Sequence, residues 1–392
     1  MKSDKTTPNV PTLRFSNKTI WEKKRIKDFC EVNPKTEELE DEFIYIDLES
    51  VSKGCLLSKN IISKTNAPSR AQRVLTNNDI LFQCVRPYQM NNLLFNAENA
   101  DFQYVASTGY AQIRTQENPS FVYHLLHSPN FNKEVMLRCT GSSYPAITSS
   151  DLGDIEVYIC GVGEQQKIGH FLDLIDRRIA VQNKIIEDLK VLKKELCNDH
   201  FKSVLRDTSL QYIALREILT ERKEYCSKDG TYTHGTLSKE GVAPKTERYD
   251  RDFLVKNEDK QYKVTHLNDI CYNPANLKFG VICRNTYGDL IFSPIYVTFE
   301  ISDNVCPAYI ELFLTNSNFI GRIRRYEQGT VYERMAVSPE DFLSYETHMP
   351  TYEEQVKFAN EMQCIQRKIE LETAFLSSLQ RQRKYLLTAM FI

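Results

Sequence analysis

The stretch Glu164–His200, EQQKIGHFLDLIDRRIAVQNKIIEDLKVLKKELCNDH, decides the fold that the sequence predicts. Its apolar side chains recur at alternating steps of four and three residues, which is the seam pattern of a coiled coil. The stretch contains no proline, and at 1.5 Å per residue it predicts a helical rod of about 55 Å. A single apolar stripe on such a helix needs a second helix to cover it. The seam residues are Ile168, Leu172, Ile175, Ile179, Ile186, Leu189 and Leu196.

The sequence predicts the covering helix in the same chain, after a shift of 190 residues. The stretch Glu354–Met390 again begins with Glu-Gln and carries its own seam. The polar breaks coincide as well, because Gln182 aligns with Glu372 and Lys193 aligns with Arg383. Polar seam residues fix register at a cost in stability, so matched breaks indicate a duplicated helix rather than two unrelated amphipathic helices. The second seam comprises Phe358, Met362, Ile365, Ile369, Leu376, Leu379 and Leu386.

The segments that precede the two helices also correspond. Asn78-Asp79-Ile80 aligns with Asn268-Asp269-Ile270 at a shift of 190 residues, and Asn118–Phe131 aligns with Cys306–Phe319 at a shift of 188. The chain is therefore predicted to run module, helix, module, helix. Alternating apolar and β-branched runs predict modules of mixed strands and helices, an α+β fold. Strands are predicted at Glu42–Leu48, Asp79–Val85, Ile155–Ile159, Val281–Cys283 and Asp289–Phe299, and short helices at Phe121–Leu126 and Ala308–Leu314.

This order sets the predicted domain boundaries. Residues 1–20 are expected to form a disordered lead-in, residues 21–163 the first module and residues 164–203 the central helix. Residues 204–352 are expected to form the second module and residues 353–392 the C-terminal helix.

The composition is that of an ordinary soluble globular protein, with 41% hydrophobic and 26% charged residues and a net charge of −2. No run of 18 apolar residues predicts a membrane span, and the N-terminus lacks the apolar core of a secretion signal. The eleven cysteines include no CxxC pair. This argues against a structural zinc site and a disulfide framework, and favours free thiols in a reducing cytoplasm.

Signatures of catalysis are absent from the sequence. It has no GxxxxGK[ST], GxGxxG, HExxH or GxSxG motif, and no Asn-Pro-Pro-aromatic box of an adenine methyltransferase. His124 and His127 are spaced to face one metal ion from a helix, but no third ligand is evident, so we interpret them as ordinary core or surface histidines. The sequence predicts no catalytic residue and no metal site.

Polar and cationic clusters between the predicted elements are candidates for DNA contact. Arginine suits guanine O6 and N7, and asparagine or glutamine suits adenine N6 and N7. The alternative for any single residue is an ordinary solvated loop. In the first module the candidates are Ser69, Arg70, Gln72, Arg73, Arg86, Tyr88, Gln89, Asn91, Ser142, Ser143 and Tyr144. In the second module they are Lys245, Arg248, Arg284, Asn285, Arg322, Arg324, Arg325, Tyr332 and Arg334.

The ordered set of segments, repeated twice, resembles the specificity subunit of type I restriction-modification systems. The resemblance extends from about Trp21 to the C-terminus, and no single motif in it is very specific. One departure is that Pro350 precedes the second Glu-Gln, as is usual in the family, whereas Cys160 takes that place in the first copy. The segments that carry the resemblance are Trp21–Phe29, Asn78–Pro87, Gly141–Leu152, Glu164-Gln165 and Glu354-Gln355.

The resemblance implies two target-recognition domains, each of which reads one half of a split, asymmetric site on double-stranded DNA. The two helices would pack as an antiparallel coiled coil with internal pseudo-two-fold symmetry, and would act as a ruler for the spacer. Two methylation subunits, with S-adenosylmethionine, would methylate adenine N6, and restriction subunits, with ATP and Mg, would cleave unmodified DNA. This chain would bind none of these cofactors.

The sequence is also compatible with two other classes of function. A non-enzymatic adaptor, with a coiled coil and two protein-binding modules, is favoured slightly by the mild acidity of the chain. The Arg, Asn, Gln and Tyr clusters in both modules favour DNA. An enzyme would need an active site built from residues outside the known motifs.

Overall fold

The computed structural model describes residues 10–97, 101–227, 230–239, 241–245, 261–328 and 335–392. The chain divides into two compact units, and both divisions fall inside a long helix. Unit 1 comprises Met1–Lys184 with Ala374–Ile392, and unit 2 comprises Ile185–Thr373. Each unit therefore contains one module and a part of each long helix.

Within the described residues, module 1 combines short strands with short helices. Its strands are β1 (Trp21–Arg25), β2 (Cys30–Val32), β3 (Glu42–Ile46), β4 (Val51–Ser52), β5 (Cys55–Leu56), β6 (Asn60–Ser63), β7 (Ala71–Val74), β8 (Ile80–Gln83), β9 (Leu93–Leu94), β10 (Gln103–Ser107), β11 (Tyr110–Thr115) and β12 (Glu156–Cys160). Its helices are α1 (Ile26–Phe29), α2 (Pro119–Leu125), α3 (Pro129–Arg138) and α4 (Ser149–Gly153), with 3₁₀ turns at Lys64–Asn66 and Pro87–Gln89. The long helix α5 (Val162–Arg206) follows.

Module 2 has the same kinds of element within its described residues. Its strands are β13 (Gln211–Ala214), β14 (Leu219–Glu221), β15 (Tyr225–Cys226), β16 (Thr233–Ser238), β17 (Gly241–Pro244), β18 (Tyr262–Thr265), β19 (Ile270–Tyr272), β20 (Ile282–Arg284), β21 (Leu290–Phe292), β22 (Val297–Ile301) and β23 (Glu346–Met349). Its helices are α6 (Pro307–Leu314), α7 (Ser317–Ile323) and α8 (Pro339–Leu343), with 3₁₀ turns at Leu215–Glu217, Pro274–Phe279 and Arg324–Tyr326. The long helix α9 (Tyr352–Met390) ends the fold.

The strand order repeats between the modules. Module 1 has sheets of order β6-β3-β10-β7 and β2-β11-β8-β9, and module 2 has sheets of order β17-β16-β21-β18-β15 and β14-β22-β19-β20. In each first sheet the central pair is parallel, β3 with β10 and β16 with β21. The first and last strands of each module also pair, β1 with β12 and β13 with β23. The internal repeat predicted from the sequence is confirmed.

A buried carboxylate explains why Asn-Asp-Ile occurs in both modules. Asn78 and Asn268 have positive φ angles of 73° and 72°, so each turns the chain into a strand. The aspartate that follows is buried in both modules, at 0% exposure for Asp79 and 2% for Asp269. Each carboxylate receives two hydrogen bonds from one guanidinium, and these bonds tie two strands of the same sheet together.

The arginine of this pair comes from different strands in the two modules. Arg114, on β11, donates to Asp79 from Nε and Nη2 at 2.8 Å each. Arg222, just after β14, donates to Asp269 from Nε at 2.8 Å and from Nη2 at 3.0 Å. The repeat thus keeps the ion pair but not the sequence position of its cation.

The second residue of each Glu-Gln pair is buried at the start of a long helix. Gln165 accepts from Asn118 N at 3.0 Å and donates to Cys160 O at 2.7 Å. Gln355 accepts from Cys306 N at 2.9 Å and donates to Pro350 O at 2.8 Å. Each amide therefore joins the beginning of its helix to the N-terminus of a short module helix. Since only the carbonyl is used, cysteine replaces proline at this place without loss of the contact.

The two long helices pair in antiparallel fashion inside each unit. In unit 1, Asp176 forms an ion pair with Arg383, and the Arg178 guanidinium lies 5.1 Å from the centre of the Phe375 ring. In unit 2, Lys193 donates to Gln366 at 2.8 Å. Further along, the rings of His200 and Phe358 stack with centroids 3.7 Å apart. As the number rises along α5, the number of the partner falls along α9, which confirms the predicted pairing.

The predicted seam is buried or half-buried along both helices, with one correction. Leu196 is 40% exposed, while Cys197 is 8% exposed and Phe201 1%. A straight α-helix drifts against a strict seven-residue repeat, so the buried face moves by one residue near the end of α5. There the helix packs into the core of module 2, with Ala359 and Met362 of α9.

Two further predictions are corrected by the structure. Residues 10–20 are not a disordered lead-in, because Leu13 N donates to Ala389 O at 2.9 Å and Phe15 N donates to Glu164 Oε1 at 2.6 Å. Residues 1–9 lie outside the described part of the chain. The strand predicted at Asp289–Phe299 is two strands, β21 and β22, because a turn closed by Tyr296 N and Ser293 O interrupts it at Pro294.

The buried ion pair predicts a large effect of one substitution on stability. Asp79→Ala leaves the Arg114 guanidinium and Thr76 N without their acceptor and removes one of the two acceptors of Gln112 Nε2. We expect it to lower the free energy of unfolding by about 3 kcal/mol in urea titrations followed by circular dichroism. The control is Glu156→Ala, which removes an exposed pair with Lys23 and should cost less than about 1 kcal/mol. Equal losses in the two variants would contradict this assignment.

Candidate nucleic-acid interface

Two loops that are distant in sequence form one surface in module 1. Val85 and Ala146 form a β-bridge, and Arg86 N donates to Pro145 O at 2.7 Å. The Arg86 guanidinium lies 4.3 Å from the centre of the Tyr144 ring. We call the surface formed by Lys53, Arg86–Asn91 and Ser142–Tyr144 the module 1 polar surface.

The backbone of this surface is strained at two points. Arg86 and Met90 have φ angles of 55° and 53°, although neither is glycine, and they flank the 3₁₀ turn Pro87–Gln89. Such conformations cost about 1–3 kcal/mol each and persist where the surrounding structure fixes them, often at functional sites. The turn presents Tyr88, which is 54% exposed, and the neighbouring segment Ser142–Tyr144 presents Tyr144, which is 64% exposed. An arginine over one exposed tyrosine ring suits contact with nucleic acid.

A chain of buried polar side chains holds the turn in place. Gln83 N donates to Asn92 Oδ1 at 2.8 Å, and Asn92 Nδ2 lies 3.3 Å from His127 Nε2. His127 Nδ1 lies 2.7 Å from Tyr123 O. A carbonyl accepts only, so His127 carries its proton on Nδ1, and Nε2 is the acceptor for Asn92. Burial lowers the pKa of His127 to about 4, although the bond to Tyr123 raises it, which keeps the ring neutral.

The candidate loop Ser69–Arg73 is linked by backbone hydrogen bonds, through Thr108 and Gly109, to the end of β8 that precedes Arg86. Thr108 N donates to Arg70 O at 2.9 Å, and Cys84 N donates to Gly109 O at 3.0 Å, just before the Arg86 loop. Ser69 and Arg70 are exposed, and Gln72 is exposed with its amide nitrogen donating to Ser69 O at 2.6 Å. Arg73 is half-buried, and this burial lowers the pKa of its guanidinium. Ser69 and Arg70 are therefore the more accessible candidates here.

Lys53 is a functional candidate that the sequence reasoning missed. It lies at the tip of the hairpin β4–β5, where Lys53 and Gly54 have φ angles of 48° and 80°. Its backbone N donates to Asn91 Oδ1 at 3.2 Å, which places the hairpin tip beside the segment Arg86–Asn91, called the Arg86 loop here. The signal in the sequence was the Lys-Gly pair of a tight turn, but the flanking strands have two residues each and give no visible periodicity.

In module 2 two of the predicted DNA contacts serve the fold instead. Asn285 is 0% exposed, its amide bonds to Tyr287 N and Gly288 O within a turn, and its Nδ2 also donates to Thr265 Oγ1 on β18. The prediction that it contacts DNA is wrong, because no part of its side chain reaches the surface. Arg284 donates to Glu311 Oε2 at 2.9 Å and to Asn268 Oδ1 at 2.7 Å, so its charge is neutralised inside the module.

The remaining module 2 candidates differ in accessibility. Arg322, Arg324 and Arg325 are exposed at the end of α7 and on the turn after it, and Arg324 lies 3.5 Å from Glu327. Lys245 is half-buried, and its backbone N donates to His234 O. Arg248, Tyr332 and Arg334 lie outside the described residues.

The turn Pro274–Phe279 follows β19 as Pro87–Gln89 follows β8 in module 1. Pro274 O accepts from Val337 N at 3.3 Å. Phe279 is 56% exposed, and Lys278 Nζ lies 5.3 Å from the centre of its ring. Sequence reasoning missed this cation and aromatic pair, because only the repeat of the fold identifies the turn as the counterpart of the Arg86 loop.

Catalytic and metal chemistry find little support among the described residues. They include no group of three or more His, Cys, Asp or Glu side chains placed to hold a metal ion. His124 Nε2 lies 2.9 Å from Asp173 Oδ1, and His127 is bound as described above. Burial raises the pKa of Cys30 to about 12 and of Cys84 to about 11, so neither is an activated nucleophile. In the part of the chain that is described, no helix has the length and apolar character needed to cross a membrane.

Comparisons with known proteins agree with this architecture. The family model for the type I restriction modification DNA specificity domain matches residues 19–191, which span module 1 and much of α5. This part of the chain is therefore similar to that family. No curated protein sequence matches the chain.

Solved structures of similar fold cover almost the whole chain. One, from work on complex assembly and conformational transition of the type I R-M system, is 18% identical with a TM-score of 0.59, over 94% of this chain and 96% of that chain. Another, the type I restriction-modification system S subunit from M. genitalium, is 16% identical with a TM-score of 0.56, over 98% of this chain and 99% of that chain. At such identities the likeness establishes the fold. With the family match, it confirms the predicted resemblance to specificity subunits.

The state of His127 predicts how the stability of module 1 depends on pH. The pKa in the folded state, about 4, lies below the ordinary value of 6.5, so the unfolded chain takes up the proton first as pH falls. The contribution of the neutral His127 ring to the free energy of unfolding is complete above about pH 6.5 and is lost toward pH 4, by up to about 3 kcal/mol. Urea unfolding between pH 7 and pH 4.5 should show a shallower loss in His127→Gln than in the wild type. The exposed His170→Gln is the control, and an unchanged slope in His127→Gln would refute the assignment.

Proposed function

We propose that this chain is the DNA-recognition subunit of a type I restriction-modification complex, and that each module reads one half of a bipartite, asymmetric site. Partner subunits would then methylate adenine N6 or cleave the DNA, so the chain itself would have no catalytic role. The observation that carries the proposal is one strand order in two modules with different side chains on corresponding turns. A shared frame with different surface residues is what two different half-sites require.

The chemistry of the corresponding turns supports contact with DNA. In module 1 the turn presents Arg86, Gln89 and Asn91 beside Tyr144, and in module 2 it presents Lys278 beside Phe279. Cations suit phosphates and guanine, amides suit base edges, and exposed rings suit bases. The net charge of −2 is no obstacle, because a local cluster of cations can bind phosphates on a chain of low net charge.

A second apolar stripe on α5 supports assembly with partner subunits. Leu174, Val181, Ile185, Leu192 and Leu196 follow one another at steps of seven and four residues, which places them on one face of the helix. All five are at least 38% exposed, so this stripe is separate from the buried seam. We propose that helices of the methylation subunits cover it. We also propose that restriction subunits join the complex, and that the partner subunits bind S-adenosylmethionine, ATP and Mg.

Mapping methylated adenines tests the function and the division between the modules. The chain is expressed with a methylation subunit, complex formation is verified by co-purification, and N6-methyladenine is mapped by sequencing. We expect one bipartite motif, and exchange of either module for that of a relative should change only one half of it. An inactive methylation subunit serves as the control. Methylation that does not depend on this chain would favour the adaptor instead.

The antiparallel pairing of α5 and α9 predicts a change in the spacer between half-sites. A seven-residue insertion within Ile175–Lys190, together with a matching insertion in α9, adds about 10 Å of helix, or about three base pairs. The methylated motif should keep both halves and gain about that spacing. Insertion in one helix alone should break the seam and prevent assembly. An unchanged spacer after the paired insertion would contradict the role of the helices as a ruler.

A further inference from the structure

The direction in which an amide side chain points decides what it can recognise. A carboxamide donates through its nitrogen and accepts through its oxygen, and the two ends exchange when the group rotates. The two-bond contact of glutamine or asparagine with adenine needs both ends at the base edge. In the module 1 polar surface, internal hydrogen bonds determine which end of each amide faces outward.

Gln83 is the buried amide that sets this direction. It is 2% exposed, its Oε1 accepts from Asn91 N at 3.1 Å, and its Nε2 donates to Val85 O at 2.8 Å. A backbone N–H only donates and a backbone carbonyl only accepts, so turning Gln83 around would lose both bonds. The Nε2 atom of Gln83 therefore has one fixed position, and its second hydrogen points to Gln89.

The fixed amide of Gln83 orients Gln89, and the backbone N–H of Lys53 orients Asn91. Gln83 Nε2 donates to Gln89 Oε1 at 2.8 Å, so the oxygen of the exposed Gln89 points inward. Lys53 N donates to Asn91 Oδ1 at 3.2 Å, so the oxygen of Asn91 also points inward. Within the described part of the chain, neither amide nitrogen has an internal partner. Both amides thus present N–H groups to the outside.

We infer that Gln89 and Asn91 contact DNA only as hydrogen-bond donors, so that this edge of module 1 selects bases that present acceptors. The inference rests on the proposed function, in which module 1 binds DNA. Arg86 adds donors only, because a guanidinium has no acceptor. In the major groove guanine presents the acceptors O6 and N7, thymine O4 and adenine N7, whereas cytosine presents only the donor N4–H₂. The contacted strand therefore has guanine, thymine or adenine at these positions, and cytosine is rejected.

The test replaces one amide by a carboxylate of the same shape. In Gln89→Glu one oxygen keeps the inward bond from Gln83, while the outward nitrogen becomes an acceptor. Glutamate accepts from cytosine N4, so one position of the module 1 half-site should move toward cytosine, which the wild type rejects, by about tenfold. Asn91→Asp should do the same at a neighbouring position. The readout is methylated-adenine sequencing on a random-sequence DNA library with the co-purified complex.

Two controls separate the possible causes of a change. Gln89→Ala should relax the preference at that position without creating a new one. Gln380→Glu adds the same charge at an exposed position of α9 and should leave the motif unchanged. If the wild-type complex gives no motif that depends on module 1, the proposed function fails. If the wild type gives such a motif but Gln89→Glu and Asn91→Asp shift no single position, or only weaken the whole motif evenly, the amides touch phosphates and the inference is overturned.

Discussion

The need to cover one apolar stripe on each long helix constrains the rest of this structure. Neither α5 nor α9 can bury its seam alone, and each covers the other within both units. In unit 1 the covering residues also enter the core of the module, where the rings of Phe121 and Phe391 lie 5.4 Å apart. In unit 2 Cys197 and Met362 do the same. The helices are therefore part of each module's core.

The modules keep their common frame through a few buried polar contacts. Asp79 and Asp269 tie strands together, while Gln165 and Gln355 tie a long helix to a short one. Leaving such groups unpaired is costly, so these positions tolerate little change. The turns after β8 and β19 differ in their exposed side chains, although internal contacts orient some of them, as they do Gln89 and Asn91. A stable frame with free surface positions suits a protein whose two halves read different sequences.

The sequence predicted the features that depend on periodicity and constant spacing. The helix pairing and the module repeat follow from apolar steps and from a shift near 190 residues, and both are confirmed. The heptad pattern placed Leu196 in the seam, whereas Cys197 is the buried residue there, because a strict seven-residue template ignores the drift of a straight helix. The site was predicted less well. Burial of Asn285 and the approach of Arg86 to Tyr144 depend on contacts between distant segments, which a local pattern does not show.

The position of Phe391 and its neighbours in the first core has a consequence for synthesis in the cell. The ribosome completes Lys184 about 200 residues before it reaches Phe391, a delay of about 10–40 seconds at ordinary rates. During that interval the nascent first module lacks Leu386, Leu387, Met390 and Phe391, and the apolar residues that they cover stay open. The first module thus completes its core only after residues about 200 positions downstream have been made, and until then its open apolar surface is available for aggregation.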